Sequence, residues 1–248
     1  MKAFVKYLGI QMKMDLRDRG TLMNFYLVPL VFFFVMGSVF SSVNPQMKAT
    51  LAATMTIFAL TMGAVMGTPA PLVRMRESGT LRAFRVNGIP GAAVLAVQAL
   101  GAFFHLLLVS VVIYFAAPAA FHAEVPKNAP LYFAVLVVFL AASIGIGMLI
   151  GVFSRSQSVA TMFSMAVFLP TILLSGIMFP VSMLPKAFLW AGRVFPATHA
   201  LQAFLGFAYR AKTNLNPGLS LCIAGGIGLL AFICAILRFG GISQSEQV

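Results

Sequence analysis

Few side chains in this sequence could do acid–base, nucleophilic or metal chemistry. There are five carboxylates (Asp15, Asp18, Glu77, Glu124, Glu246), three histidines (His105, His122, His199) and two cysteines (Cys222, Cys234). No His-Glu-x-x-His or Gly-x-Ser-x-Gly pattern brings a nucleophile and a base together, so an enzyme is not expected. His122 and His199 lie in connecting segments without the partners a metal needs, and no metal site is expected. No Gly-x-x-x-x-Gly-Lys-Ser/Thr loop occurs, nor any Gly-Lys pair, so nucleotide phosphates cannot be cradled in the P-loop manner on this chain.

Two polar stripes run at heptad spacing through apolar segments: Thr54, Thr61 and Thr68 with Phe58 between them, and Thr161, Ser164, Thr171 and Ser175 with Phe168 between them. Two readings are open. The hydroxyls could bond back to their own helix or pack against a neighbour. Equally, mixed hydroxyl and aromatic faces suit an amphiphilic solute passing through. His105 stands seven residues after Gln98 on one helix face, and a hydrogen bond to a neighbouring helix is its expected role. None of the five carboxylates falls at the middle of an apolar segment, where a coupling ion would need one.

The elements that must position these groups are membrane helices. Of 248 residues, 60% are hydrophobic and 9% charged, against roughly 25% charged in a soluble domain. The apolar residues form runs long enough to cross a hydrocarbon layer that needs about 20 residues of helix. Six spans are expected, at 22–43, 51–73, 92–116, 131–153, 157–179 and 218–239. The expected fold class is therefore an all-α integral membrane protein and one domain, 1–248. Residues 1–20 form an amphipathic interfacial helix, with Phe4, Leu8, Met12 and Leu16 on one side and Lys2, Lys6, Lys13 and Arg17 on the other. The spacing of Gly63 and Gly67, and of Gly145, Gly147 and Gly151, suits close helix approach. Cys222 and Cys234, twelve residues apart, are too far for a bond within one helix and are expected to pack inside.

The net charge of +12 would suggest nucleic acid in a soluble protein, but here the bases flank apolar segments and read as orientation and contact with anionic lipid. With the N-terminus inside, inner segments hold eleven bases: Lys2, Lys6, Lys13, Arg17, Arg19, Arg74, Arg76, Arg82, Arg85, Arg155 and Arg238. Outer segments hold six: Lys48, Lys127, Lys186, Arg193, Arg210 and Lys212. Both termini are thus expected inside. The outer stretch 180–217 is greasy and broken by Pro180, Pro185 and Pro196, as short helices dipping into the outer leaflet would be. The inner stretch 74–90 carries the densest charge; as a short helix it would turn Met75, Leu81 and Phe84 toward lipid or protein and offer Arg76, Glu77 and Arg82 to the cytoplasm.

That inner run, Arg76-Glu77-Ser78-Gly79-Thr80-Leu81-Arg82 ahead of Pro90, resembles the inner loop of ABC transporter type-2 permeases of the drug and antibiotic export kind. Leu174-Ser175-Gly176-Ile177-Met178-Phe179-Pro180, with Leu184-Pro185 and Phe195-Pro196, is similar to the family's end of helix five and its outer re-entrant hairpin. The resemblance implies a membrane subunit of an ATP-driven exporter. It implies a homodimer of permeases bound to two cytoplasmic ATPase subunits that carry the ATP and Mg, so no cofactor is expected here. It also implies a prokaryotic inner (plasma) membrane location. Arg74, Arg76, Glu77, Gly79, Thr80 and Arg82 would meet the ATPase. Helices two and five would wall the solute path with the two hydroxyl stripes, carrying a drug, antibiotic, peptide or lipid outward. The rival classes are a channel or secondary carrier and a non-transporting assembly subunit.

The distribution of bases predicts that Asn128 and Asn214 face outside while Thr80 and Ser156 face the cytoplasm. Single cysteines at these positions, in a background lacking Cys222 and Cys234, should react with an impermeant thiol reagent accordingly. Labelling of position 80 from outside would overturn this orientation.

Overall fold

The structure is a computed structural model that describes residues 2–43, 45–179 and 183–245; Pro180 and Glu246 lie outside the described residues, as do the side chains of Lys2 and Arg85. Among the described residues every regular element is helical, and six helices are long and apolar enough to cross a membrane. They run Arg19–Ser42, Met47–Glu77, Gly91–Phe121, Ala129–Phe153, Gln157–Leu174 and Pro217–Phe239. With no water to satisfy the backbone in hydrocarbon, the helix is the form an open chain of this composition can take.

Most spans are longer than their apolar runs. The second, expected at 51–73, continues through Arg74 to Glu77, because its charged last turn leaves the apolar region without leaving the helix. The third continues past Pro118 to Phe121, where His122 enters the left-handed region at φ 53°. The fifth, expected to reach 179, stops at Leu174: Ser175 caps it and Gly176, at φ +81°, turns the chain away. The interfacial helix is Lys2–Asp15, shorter than expected, because a turn at Leu16 and Arg17 lets Asp18 cap the first span.

The second span is the axis of the bundle, 78% buried in its apolar window, against 22% for the first span and 28% for the fifth. The aromatic core around it includes Tyr132 of the fourth span, fully enclosed, whose hydroxyl meets Thr56 Oγ1 at 2.9 Å. After the fifth span come two short helices, Lys186–Gly192 and Pro196–Ala203. Pro196, Ala197, Ala200 and Ala203 of the second, and Phe204 just beyond it, are buried against the bundle. The sixth span faces the core with the small-residue stripe Ser220, Ala224, Gly228, Ala231 and Ala235. Cys222 and Cys234 fall off that stripe and are exposed, contrary to the expectation that they pack inside.

Two glycine contacts set the spacing of the fourth span. A Cβ at Gly147 would overlap Thr68 Oγ1 and the Ala64 carbonyl oxygen of the second span, and one at Gly145 would lie 2.8 Å from the Gly228 carbonyl oxygen of the sixth. Backbone here touches backbone, as small-residue packing in lipid requires. Gly147→Ala should therefore cost about 1–3 kcal/mol of overpacking, because the obstructing atoms include main chain that cannot rotate away. Gly226→Ala, with nothing within 4 Å, should be neutral. Thermal unfolding of the two variants in detergent checks the contrast, and equal stability would refute the contact.

Candidate functional site

The lower half of the second span is where the polar groups of the chain converge. Pro69 follows a π-helical turn, Gly63–Gly67, and opens the segment Pro69–Glu77. Proline has no N–H to give to the carbonyl four residues back, and its ring crowds that carbonyl. The oxygen in question belongs to Val65. It accepts a hydrogen bond of 2.7 Å from the Ser164 hydroxyl of the fifth span. One helical turn lower, Gln157 Nε2, also at the start of the fifth span, donates to the Ala70 carbonyl at 3.0 Å. Lower still, Arg76 donates to the carbonyls of Ser154 (2.6 Å) and Val152 (3.1 Å), the last turn of the fourth span. A cation is favoured there by the negative end of the helix dipole. This corrects the expectation that Arg76 is offered to the cytoplasm. Its guanidinium is turned inward as a cap on the fourth span.

Beyond Arg76 the chain changes direction. Ser78 N–H bonds Arg74 O (2.9 Å), Gly79 N–H bonds Arg76 O (3.2 Å), and Gly79 sits at φ +73°, the left-handed position that ends helices cheaply when glycine occupies it. A separate short helix, Thr80–Val86, follows, so the expected single helix over 74–90 is two pieces joined at Gly79. Glu77, Gly79 and Arg82 are exposed, Thr80 is half-buried with its hydroxyl 2.8 Å from Ser78 Oγ, and Phe84 turns inward to the Tyr7 ring. Arg74 is exposed and reaches Asp18 at 3.8 Å.

The hydroxyl stripes meet each other. Phe58 and Phe168 pack edge to face with centroids 5.8 Å apart, and Thr54, Phe58, Thr61, Thr68, Ser164, Phe168, Thr171 and Ser175 are all buried within the chain. Thr54, Thr61, Thr68, Thr161 and Thr171 each bond the carbonyl four residues earlier. Ser164 alone bridges to another span, and Ser175 Oγ is buried with no hydrogen-bond partner. Thr161 lies exposed on the outer side of the fifth span.

A second cluster involves a carboxylate whose partner the chain order conceals. Asp15, ending the interfacial helix, lies with Oδ2 3.5 Å from His105 Nε2 of the third span, and the other nitrogen of that ring meets the Tyr26 hydroxyl of the first span at 2.6 Å. His105 thus has the neighbouring-helix bond expected of it. Gln98 instead lies 3.9 Å from Met75 Sδ.

Six helices long and apolar enough to cross a membrane, packed as one bundle with a charged loop at one end of the most buried of them, define a multi-pass membrane protein. Residues 7–209 match the ABC-2 type transporter membrane family, and the chain belongs to it. It is similar to ABC transporter G family member 20 of Dictyostelium discoideum, at 26% identity over 163 residues. The match covers 66% of this chain and 22% of the relative, so this chain spans about a fifth of that protein's length.

Asp18 ties the interfacial helix to the first span and to the loop. Its carboxylate accepts from the Thr21 hydroxyl (2.8 Å) and the Thr21 amide (3.0 Å) as an N-cap. The Thr21 hydroxyl bond first, and then the amide bonds and Arg74, hold its carboxyl below the ordinary carboxylate range. A depressed carboxyl stabilises the fold above its unfolded value and loses that contribution as pH falls through its folded value. Asp18→Ala should cost about 1 kcal/mol at neutral pH, and the gap from the unmutated protein should close as pH falls below about 4. Unfolding in detergent from pH 7 to pH 3 measures it; a gap independent of pH would exclude the carboxylate cap.

Proposed function

We propose that this chain is the membrane-spanning permease of an ATP-binding-cassette exporter. The ATPase is a separate subunit present in two copies with its own ATP and Mg, and the permease works as a homodimer. The observation that carries the reading is the hinged loop. Glu77, Gly79 and Arg82 are exposed just beyond a helix segment bonded to the fourth and fifth spans through Arg76, Gln157 and Ser164. A push on Thr80–Val86 from a docked ATPase would reach those spans through hydrogen bonds to main-chain carbonyls. Those bonds transmit displacement better than side-chain packing alone.

Arg74, Glu77, Thr80 and Arg82 would make the contact with the ATPase, Gly79 would supply its bend, and Arg76 would transmit it. The faces of Thr54, Phe58, Thr61, Thr68, Ser164, Phe168, Thr171 and Ser175 would open as the second and fifth spans separate, with the already exposed Thr161 at their edge. An amphiphilic solute, a drug, antibiotic, peptide or lipid, would then pass between them, outward across a prokaryotic plasma membrane with both termini cytoplasmic. A channel or secondary carrier would need no hinged, charged loop.

Glu77 is the sharpest test. A lone acid among Arg74, Arg76 and Arg82 contributes little to topology, whereas a partner base would meet it in a charge-assisted bond. Glu77→Arg should leave insertion intact yet weaken attachment of the ATPase about a hundredfold, since reversing a charge at a desolvated contact costs a few kcal/mol. Co-purification of the ATPase with solute-stimulated hydrolysis is the measurement, and unchanged values for both would remove this loop from the interface.

A further inference from the structure

Between the interfacial helix and the ends of the second and third spans lies a cleft of about 530 Å³, within the size range of small-molecule sites. Ile10, Met14, Met75 and Phe84 give it apolar walls, and Tyr7 and Asp15 bring polar groups into it. The Tyr7 hydroxyl is buried with no hydrogen-bond partner. Asp18 also faces the cleft, but Arg74 at 3.8 Å offsets its charge.

Asp15 has no such counterion. Its side chain is 16% exposed, and Oδ1 accepts from Gln11 Nε2 at 2.7 Å. Among the described residues its one partner at ion-pair distance is His105. That ring is 1% exposed, and its Nε2, buried and without a hydrogen bond, is aimed at Asp15 Oδ2 from 3.5 Å, beyond hydrogen-bonding reach. The other ring nitrogen, Nδ1, shares a 2.6 Å hydrogen bond with the Tyr26 hydroxyl. No lysine or arginine lies at ion-pair distance from Asp15 among the described residues, so its carboxylate is open to a cation entering the cleft. Among the described residues no group of three His, Cys, Asp or Glu side chains is placed to hold a metal ion. An organic cation needs one carboxylate, aromatic faces and a greasy surface, and those are present.

We propose that this cleft binds a free lipophilic organic cation, with its charge on Asp15 Oδ2 and its apolar body against Tyr7, Met14 and Phe84. The proposal names the solute class for the exporter read above and rests on that reading only for transport. Binding itself needs neither ATP nor the ATPase.

The probe is tetraphenylphosphonium, its binding to the purified full chain in detergent measured at equilibrium with an ion-selective electrode. Asp15→Asn should weaken binding at least tenfold. Ile10→Trp keeps the carboxylate and alters a half-exposed position, so it should fold and yet lose binding by filling the cleft. It decides the question if Asp15→Asn does not fold. Triphenylphosphine oxide, neutral and of similar shape, should not displace the probe, and neither should short-chain phosphatidylethanolamine. Wild-type affinity in Ile10→Trp, or in a folded Asp15→Asn, would overturn the proposal. Displacement by the neutral analogue would refute the role of charge, and displacement by the phospholipid would assign the cleft to a lipid headgroup. Intact binding together with failed ATPase co-purification would count against the exporter reading while leaving this site in place.

Discussion

Main-chain polar groups cannot go unbonded in hydrocarbon, and the organisation of this protein follows from how that demand is met around Pro69. A proline in the most buried helix of the bundle removes one donor, widens the turn before it, and leaves the Val65 carbonyl in need of a partner. Ser164 supplies it from the fifth span. Gln157 and Arg76 repeat the pattern at the next turns, each bringing a side-chain donor from one helix to the main chain of another. The local weakness in one helix becomes the means by which three helices are joined. A side-chain donor serving a main-chain acceptor across spans also fixes their relative height, which interdigitated apolar side chains do less well.

The same economy governs the few ionisable groups. Arg76 neutralises the end of the fourth span, Asp18 caps the start of the first, and Asp15 faces a histidine whose other nitrogen is held from a third helix. These three arrangements lie at the end of the bundle that carries the interfacial helix and the hinged loop. The opposite end relies on proline-bounded short helices and on Gln202, which receives the Asn214 amide at 2.9 Å.

Much of this was legible in sequence. Long apolar runs locate all six spans, because hydrocarbon thickness sets a minimum length that little else in a protein imitates. Gly147 was readable as a close approach, and Gly79 falls within the run that resembles the family's loop. What escaped were partnerships between residues distant in the chain. Arg76 lies 78 residues from the carbonyl of Ser154, and a base beside an apolar segment looks the same whether it faces solvent or caps another helix. The partner of Asp15 was hidden because an amphipathic helix gives no sign of which neighbour its last turn will touch. The ends of the second and fifth spans were misplaced for a related reason: polarity marks the edge of the membrane, whereas a helix ends where its hydrogen bonds do. The hydroxyl stripes illustrate the limit, since Thr61 bonding Ile57 and Ser164 bonding Val65 belong to the same heptad pattern and differ only in which carbonyl is nearer.

The fourth span touches main chain on two sides, at Gly147 against the second span and at Gly145 against the sixth. Thr68 Oγ1 and the Phe232 ring share those contacts, but the carbonyls of Ala64 and Gly228 cannot change rotamer to absorb a displacement. The span can neither roll about its own axis nor tilt without parting both neighbours, so it acts as the stator of the bundle. The first, fifth and sixth spans, with 22%, 28% and 28% of their apolar windows buried against 61% for the fourth, carry the surface left over for lipid or a partner.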